Sequence, residues 1–402
     1  MKILIVSHYF WPENFRINDL AQGLVGRGHS VSVLTGIPNY PKGKFYGGYS
    51  FAKVAKQKFG EITIYRSPVI PRGRGSSIRL SLNYISMAFF ASLRILFVRE
   101  KFDKILVFGA SPITIGIPAI VAKHKFKAPI FFWVQDLWPD SLIDAGGISN
   151  RSVISLVDKI TRFIYRSSHK ILVQSKAFIP YIQTQGVRAN KMMYLPNSAE
   201  SFYKKVGTTD RFLELIPKDG PVLMFAGNIG EAQGFDTIIN SAIILKQKKI
   251  KVNWVIIGEG RQKKSIIRRI ENEGLEKSFF FLGSFPSEDM PDFFIHADAL
   301  LVTLKKSLIF SKTIPSKVQS YLACSKPILA SLDGEGGRII SEAGCGLVSP
   351  SEDSVSFSES IVEFLGLPSN QKIKMGVNGR LYFEKEFDGE KQLDRLIMMM
   401  NS

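Results

Sequence analysis

The stretch Pro221-Val222-Leu223-Met224-Phe225-Ala226-Gly227-Asn228-Ile229-Gly230-Glu231-Ala232-Gln233-Gly234-Phe235 decides the fold. Its first six residues are an uninterrupted apolar run, as expected of a strand buried on both faces. A glycine-bearing loop follows and opens into a helical pattern over 235–248. Such a loop lets backbone N–H groups and a helix N-terminus approach an anion such as a diphosphate. It also suits a plain strand-to-helix turn that needs glycine for its backbone angles.

Working outward, the same rhythm repeats on both sides. Downstream, strands are predicted over 252–258, 279–282, 299–302 and 327–330, with helices over 262–274 and 288–296. Upstream, 2–7, 30–35, 61–66, 104–109, 129–134 and 170–174 read as short buried strands, with a helix over 18–28. Two βαβ runs predict an α/β protein of two doubly wound, Rossmann-like domains facing across a cleft. The expected division is 1–200, a polar linker over 201–220 containing Gly207 and Pro217, a second domain over 221–375, and a C-terminal helix over 376–402 returning toward the first domain. A chain of 402 residues suits two domains of about 200. Ligands of open α/β sheets bind beyond the carboxyl ends of the strands, so the informative residues should follow the strands.

Composition excludes several classes. At 45% hydrophobic and 22% charged, the chain is neither disordered, collagenous nor a coiled coil. Cys324 and Cys345 are the only cysteines, so no disulfide framework is expected and a cytosolic protein is the default. His8, His29, His124, His169 and His296 stand too far apart for zinc spacing, and no D-x-D metal clamp occurs. The loops after the first strand and after 252–257 lack G-x-G-x-x-G, which disfavours a nicotinamide enzyme. The apolar run at 3–6 is too short for a signal peptide.

The net charge of +18 implies an anionic partner. It is confined to one half: residues 1–195 hold 27 Lys and Arg against 9 Asp and Glu, whereas 196–402 hold 26 of each. The apolar stretch 78–98 is interrupted by Arg79 and Arg94, leaving 14 uncharged residues between them. That is below the roughly 20 needed to span a bilayer. Before it lies the basic loop Pro71-Arg72-Gly73-Arg74-Gly75-Ser76-Ser77, and no acid occurs between Ile62 and Arg99. A basic loop beside an apolar helix is the pattern of a surface lying on anionic lipid. A core helix with a solvated loop fits the sequence equally. Nucleic acid is disfavoured, because no interleaved aromatic platform or groove-reading helix is evident.

Several loop residues carry chemistry. Lys317, in Thr313-Ile314-Pro315-Ser316-Lys317, falls in the first turn of a helix, where a cation opposes the helix dipole. A phosphate at that helix end would explain it; an ordinary surface lysine is the alternative. Asp136 lies just past a buried strand between Trp133 and Trp138, a costly position unless it meets water, partners or substrate. Capping of the next helix by Asp136 or Asp140 is the alternative. In Trp11-Pro12-Glu13-Asn14-Phe15-Arg16, Arg16 could grip a phosphate by paired hydrogen bonds.

These segments, with Arg27-Gly28-His29-Ser30-Val31, Pro196-Asn197-Ser198-Ala199, Phe225-Ala226-Gly227-Asn228 and Gly258-Glu259-Gly260, resemble the GT-B retaining glycosyltransferases of family 4 along essentially the whole chain. His8 to Asn14, Pro38-Asn39-Tyr40-Pro41, Gln135 to Asp140 and Pro315-Ser316-Lys317 are similar to the bacterial O-antigen branch that transfers L-fucosamine. The resemblance implies a UDP-sugar donor, a polyprenyl-diphosphate-linked saccharide acceptor, retention of anomeric configuration, and neither metal nor cofactor. It implies work at the cytoplasmic face of the bacterial inner membrane, peripherally bound to anionic lipid. Catalytic candidates are Asp136 and Glu13. Donor-binding candidates are Gly227, Asn228, Gln233, Gly258, Glu259, Gly260, Ser284, Phe285, Ser316, Lys317 and Ser320, with the nucleobase near Ser284 and Phe285 and the ribose near Ser320. Acceptor-binding candidates are Asn14, Arg16, Arg72 and Arg74. The chain departs from the family pattern in three places. The usual phosphate-binding Arg and Lys are Asn228 and Gln233, the paired glutamates would fall near Lys312 and Ser320, and the usual histidine is Asp136. Lys317 is then left as the donor's main cation.

Overall fold

The computed structural model describes residues 1–51, 56–73, 76–144, 150–204, 207 and 209–402. They form two compact units: 1–196 together with 390–402, and 197–389. Arg74 lies outside the described residues.

The first unit runs β1 (Lys2–Ser7), α1 (Ile17–Gly26), β2 (Ser30–Gly36), β3 (Lys56–Phe59), β4 (Ile62–Ser67), α2 (Ser77–Phe97), β5 (Lys104–Gly109), α3 (Gly116–Phe126), β6 (Ile130–Val134), α4 (Asp140–Asp144), α5 (Arg151–Ser167), β7 (Lys170–Val173), α6 (Phe178–Thr184) and β8 (Met192–Tyr194). Its sheet has the order β3-β4-β2-β1-β5-β6-β7-β8, parallel except for β3, which pairs antiparallel with β4. Strands such as Ile130–Val134 are buried throughout, as expected where helices cover both faces. β3 and β8 escape the sequence pattern because both are edge strands of only four and three residues, and β3 is mostly polar.

The second unit continues with β9 (Val222–Ala226), α7 (Phe235–Gln247), β10 (Asn253–Ile257), α8 (Lys263–Asn272), β11 (Phe279–Gly283), α9 (Met290–Phe294), β12 (Ala299–Thr303), α10 (Leu308–Lys312), α11 (Ser316–Ala323), β13 (Ile328–Ser331), α12 (Glu335–Ala343), β14 (Gly346–Ser349), α13 (Ser354–Gly366) and α14 (Ser369–Glu386). Its sheet order is β11-β10-β9-β12-β13-β14, and every pairing is parallel. Both sheets are doubly wound. Strand order reverses between β1 and β5 in one and between β9 and β12 in the other, so ligand loops should gather at those points.

Two boundaries differ from the sequence expectation. Within the segment expected as a linker, residues 209–220 are packed into the second unit, where Phe212 stacks on Phe293 at 4.0 Å and Arg211 pairs with Asp289 and Asp292. The expected single helix over 376–402 is divided. Its first part belongs to α14, which packs in the second unit, where a Cβ on Gly376 would lie 2.2 Å from the Ser325 carbonyl. Its second part is α15 (Gly389–Asn401), whose Leu393, Leu396 and Met400 are buried in the core of the first unit. Arg27 pairs there with Asp394 and Glu390.

The helix α2 has two unlike faces. Asn83, Ser86, Met87, Ala91 and Ile95 are buried, and Asn83 and Ser86 bond the Ile70 backbone. Ile78, Leu82, Ile85, Phe89, Leu93 and Leu96 recur at helical spacing and are exposed. By length and composition α2 could cross a membrane, but its inner face is docked on the sheet.

Candidate functional site

In the second unit, the loops after β9, β10 and β11 stack on one another, beginning at β9, where the strand order reverses. The Gly227 amide donates to Ile257 O (2.9 Å) and the Gly258 amide to Gly283 O (2.7 Å), linking the ends of β9, β10 and β11. Gly227 and Gly258 both have φ near +140°, accessible in practice only to glycine. A Cβ on Gly258 would lie 1.9 Å from Gly227 O, and one on Gly260 would lie 2.0 Å from Ile229 O. These glycines are therefore required for the loops to stack, whatever else they bind.

Lys317 lies across this stack. Its Nζ is 3.6 Å from the centroid of the Phe225 ring and donates to Gln233 Oε1. A Cβ on Gly227 would come within 2.6 Å of Lys317 Cε, so the glycine also makes room for the lysine. No carboxylate pairs with Lys317 among the described residues. Burial pushes its pKa well below the usual lysine range. With no carboxylate to hold the buried amine protonated, an anion bound beside it would restore and stabilise the ammonium form, which the ring and the amide already support. Thr303 Oγ1 donates to Gln233 O (2.5 Å) and holds the loop, a contact between segments 70 residues apart that no local spacing signals.

The other donor candidates separate. Asn228 is exposed at the loop tip. Glu259 pairs with Lys263 (2.5 Å), one turn on. Ser284 is exposed, whereas Phe285 packs against Phe293 (4.7 Å) and Phe212 (5.5 Å). Ser316 is exposed at the start of α11. Ser320, expected at a ribose, is buried with its hydroxyl donating to Ser316 O (3.2 Å), because a serine inside a helix readily bonds the preceding turn.

In the first unit the loops after β1, β5 and β6 gather in the same way. Asp136 accepts the Ser111 amide (2.9 Å) through Oδ2. It thus ties the loop after β6 to the loop after β5, instead of capping the next helix. Burial pushes its carboxyl pKa up, opposed by the Ser111 N–H. The flanking tryptophans face the core, and Trp133 Nε1 donates to Leu195 O (2.9 Å). Tyr84, on α2, feels the charge of Asp136, and its ring meets His8 edge-on at 5.6 Å. His8 Nε2 bonds Asn83 Oδ1 (2.9 Å), and burial drives its pKa to about 3, so the ring stays neutral.

Glu13 is placed differently from the expectation of a catalytic carboxylate. It is buried, and its Oε1 accepts the amides of Asn39 (2.8 Å) and Tyr40 (2.7 Å), clamping the loop after β1 to the loop after β2. Burial raises its pKa despite these bonds. Asn14 is exposed and Arg16 half-buried. Arg72 Nη1 donates to Tyr9 OH (2.6 Å), and its guanidinium lies 5.2 Å from the Tyr40 ring centroid. Arg66, which sequence reasoning missed, is buried and donates to Gly36 O, Gln57 Oε1 and Trp11 O. Nothing in its strand pattern distinguishes it, because its partners come from three separate segments.

Two doubly wound, parallel α/β sheets of this kind are the architecture of the GT-B glycosyltransferases. Residues 14–198 match the Glycosyl transferase 4-like domain and residues 207–382 match Glycosyl transferases group 1, so the chain is a glycosyltransferase that carries both of these domains. It is 24% identical over 414 residues to WcaI of Escherichia coli (strain K12), assigned by inference as a colanic acid biosynthesis glycosyl transferase, covering 99% of each chain. Among solved structures it resembles Anabaena Alr3699/HepE in complex with UDP, at a TM-score of 0.72 and 13% identity, covering 100% of both chains. It also resembles WaaG, a glycosyltransferase involved in lipopolysaccharide biosynthesis, at a TM-score of 0.69 and 13% identity, covering 100% of this chain and 99% of that one.

Proposed function

We propose that this glycosyltransferase moves a sugar from a UDP donor onto a polyprenyl-diphosphate-linked saccharide in surface polysaccharide or O-antigen synthesis. In its narrowest form the donated sugar is N-acetyl-L-fucosamine, transferred with retention and without a metal. The observation that carries the reading is the Lys317 ammonium, without a carboxylate partner among the described residues, at the reversal point of the second sheet. As the glycosidic bond breaks, charge grows on the departing diphosphate. A fixed cation there favours the transition state over the ground state. Asp136 acts on the acceptor or on the transferred sugar, and the basic first unit meets the acceptor's diphosphate. The relation to WcaI supports the polysaccharide setting, and HepE, solved with UDP, supports the nucleotide.

The outer face of α2 supports a peripheral position on the cytoplasmic face of the membrane. Exposed apolar side chains at helical spacing, beside Arg79 and Arg94, suit an interface of lipid tails and anionic headgroups. Arg74, proposed for the same surface from the sequence, lies outside the described residues.

Neutral Asn228 and Gln233 where the family carries cations favour a second reading, a sugar-nucleotide-binding scaffold without catalysis. A panel of nucleotide-sugars with undecaprenyl-diphosphate-GlcNAc, read by mass, separates the two. A product heavier by one sugar, with UDP released, supports the enzyme. Nucleotide binding without product from any donor supports the scaffold.

A further inference from the structure

Within the first unit, the amino-terminal edge of the sheet carries a second concentration of charge, away from the loops just described. An open depression of about 580 Å³ is lined there by Lys123, Arg166, His169, Lys170, Arg188 and Lys191, together with Pro129, Ser168 and Asn190. Its position follows from the topology. Lys123 is near the end of α3, Arg166 near the end of α5, Lys170 begins β7, and Lys191 immediately precedes β8. Asp136 and Ser111 follow the carboxyl ends of β6 and β5, at the opposite edge of the same sheet.

Among the described residues lining the depression there is no acidic side chain, and none of its cations is paired with a carboxylate. Asp103, beside Lys104 on the same edge, accepts the Lys2 amide (2.7 Å) and does not line the depression. Part of the charge has a local structural use. Lys123 Nζ donates to Ser167 O (2.6 Å) and Lys191 Nζ to Arg166 O (2.9 Å), both at the negative carboxyl end of α5. Lys170 Nζ donates to Asn190 O (3.3 Å). Each ammonium retains further N–H donors after these single bonds. Arg166 and Arg188 are exposed and take no part in capping α5 by side-chain bonds. Burial, and after it the charges of Lys170, Lys104, Lys191 and Lys123, hold His169 below its ordinary pKa, and burial with the charge of Lys123 does the same to Lys191. A fold that gathers six basic side chains from four segments without a counter-charge accepts mutual repulsion that a bound anion would relieve.

We propose that this depression is a binding site for a phosphate-bearing ligand, separate from the site of sugar transfer. Two paired-donor guanidiniums flanking lysine ammoniums match the multiple oxygens of a phosphate monoester or diphosphate better than a single carboxylate. The phosphate has two available sources, an anionic lipid headgroup or a soluble phosphorylated compound. Phe163 and Leu156, exposed on α5 on the same helix as Arg166, would suit the former.

The test uses the full-length protein with isotope-labelled histidine, following the His169 ring, identified by its loss in His169→Gln. Inorganic pyrophosphate should raise the titration midpoint of His169 by neutralising the surrounding lysines. Arg166→Ser/Arg188→Ser should weaken this response by about tenfold or more, as expected for lost charge-assisted hydrogen bonds. Lys317→Ala should leave the response intact, because the donor loops belong to the other unit. Co-sedimentation with phosphatidylglycerol vesicles then names the source. Loss of vesicle binding in the double variant identifies a lipid headgroup, and unchanged vesicle binding alongside lost pyrophosphate binding identifies a soluble phosphate compound. A His169 midpoint that ignores pyrophosphate, or responds equally in the double variant, overturns the proposal.

Discussion

The Lys317 ammonium sits 3.6 Å from the centroid of the Phe225 ring, the last large side chain of the strand that ends at Ala226, just before Gly227. Strand, glycine and lysine form one device, in which the ring supports the cation, Gly227 gives it room, and Gln233 orients it. Lys312 lies only five residues earlier, at the end of α10 and outside this device. Lys317→Ala is therefore expected to reduce turnover by roughly a hundredfold, or about 3 kcal/mol in the transition state. Lys312→Ala should change it little. Equal, mild effects in steady-state assays would return Lys317 to the status of a surface lysine.

Asp136 presents a stability–activity trade-off with a definite sign. Burial raises its carboxyl pKa above the unfolded value, so ionised Asp136 opposes folding once the pH exceeds that unfolded value. Asp136→Asn removes the buried charge while keeping an acceptor for the Ser111 amide. Thermal unfolding at neutral pH should show a variant at least as stable as the parent, with much lower turnover and nearly unchanged UDP affinity. In the parent, activity should decline as the pH falls through the raised pKa and the carboxylate is protonated. Normal turnover in the variant would leave Asp136 as a tie between two loops only.

The outer face of α2 separates membrane binding from folding. Ile85 is 63% exposed and Phe89 58% exposed. Their joint replacement by Ser should alter stability by no more than about 0.5 kcal/mol each, the range for exposed sites. Binding to anionic vesicles should fall by about tenfold or more, since inserting each such side chain contributes roughly 1.5–3 kcal/mol. Unchanged co-sedimentation would place the membrane face elsewhere.

Gly258 provides a structural control for the donor loops. Its φ of +140° and the 1.9 Å approach of an added Cβ to Gly227 O leave no room for a side chain. Gly258→Ala should cost about 4 kcal/mol or more, in the upper tail of single substitutions. Gly26→Ala, with nothing within 4 Å of the added Cβ, should be neutral or stabilising. Comparable denaturation midpoints for the two variants would contradict the stacked-loop geometry.

What the sequence determined by itself is the part written in local pattern. Apolar runs separated by helical periods specify buried parallel strands and hence two doubly wound sheets, since a strand covered on both faces has no polar side to alternate. Glycines after β9 and β10 marked the loops, and the charge count marked the basic half. Only the tertiary structure decided what each side chain meets. Gln233 and Lys317, 84 residues apart, become partners because β9 lies next to β12 in the sheet. Asp136 bonds the Ser111 amide because β5 and β6 are neighbours, and Glu13 is drawn into a clamp by the loop after β2. The division of α2 into a buried face and an exposed one depends on which side the sheet covers, which its sequence cannot specify because polar Asn83 and Ser86 fall on the buried face and Ile85 and Phe89 on the exposed one. Long-range pairings of this kind are set by strand order, and strand order leaves no trace in the spacing of neighbouring residues.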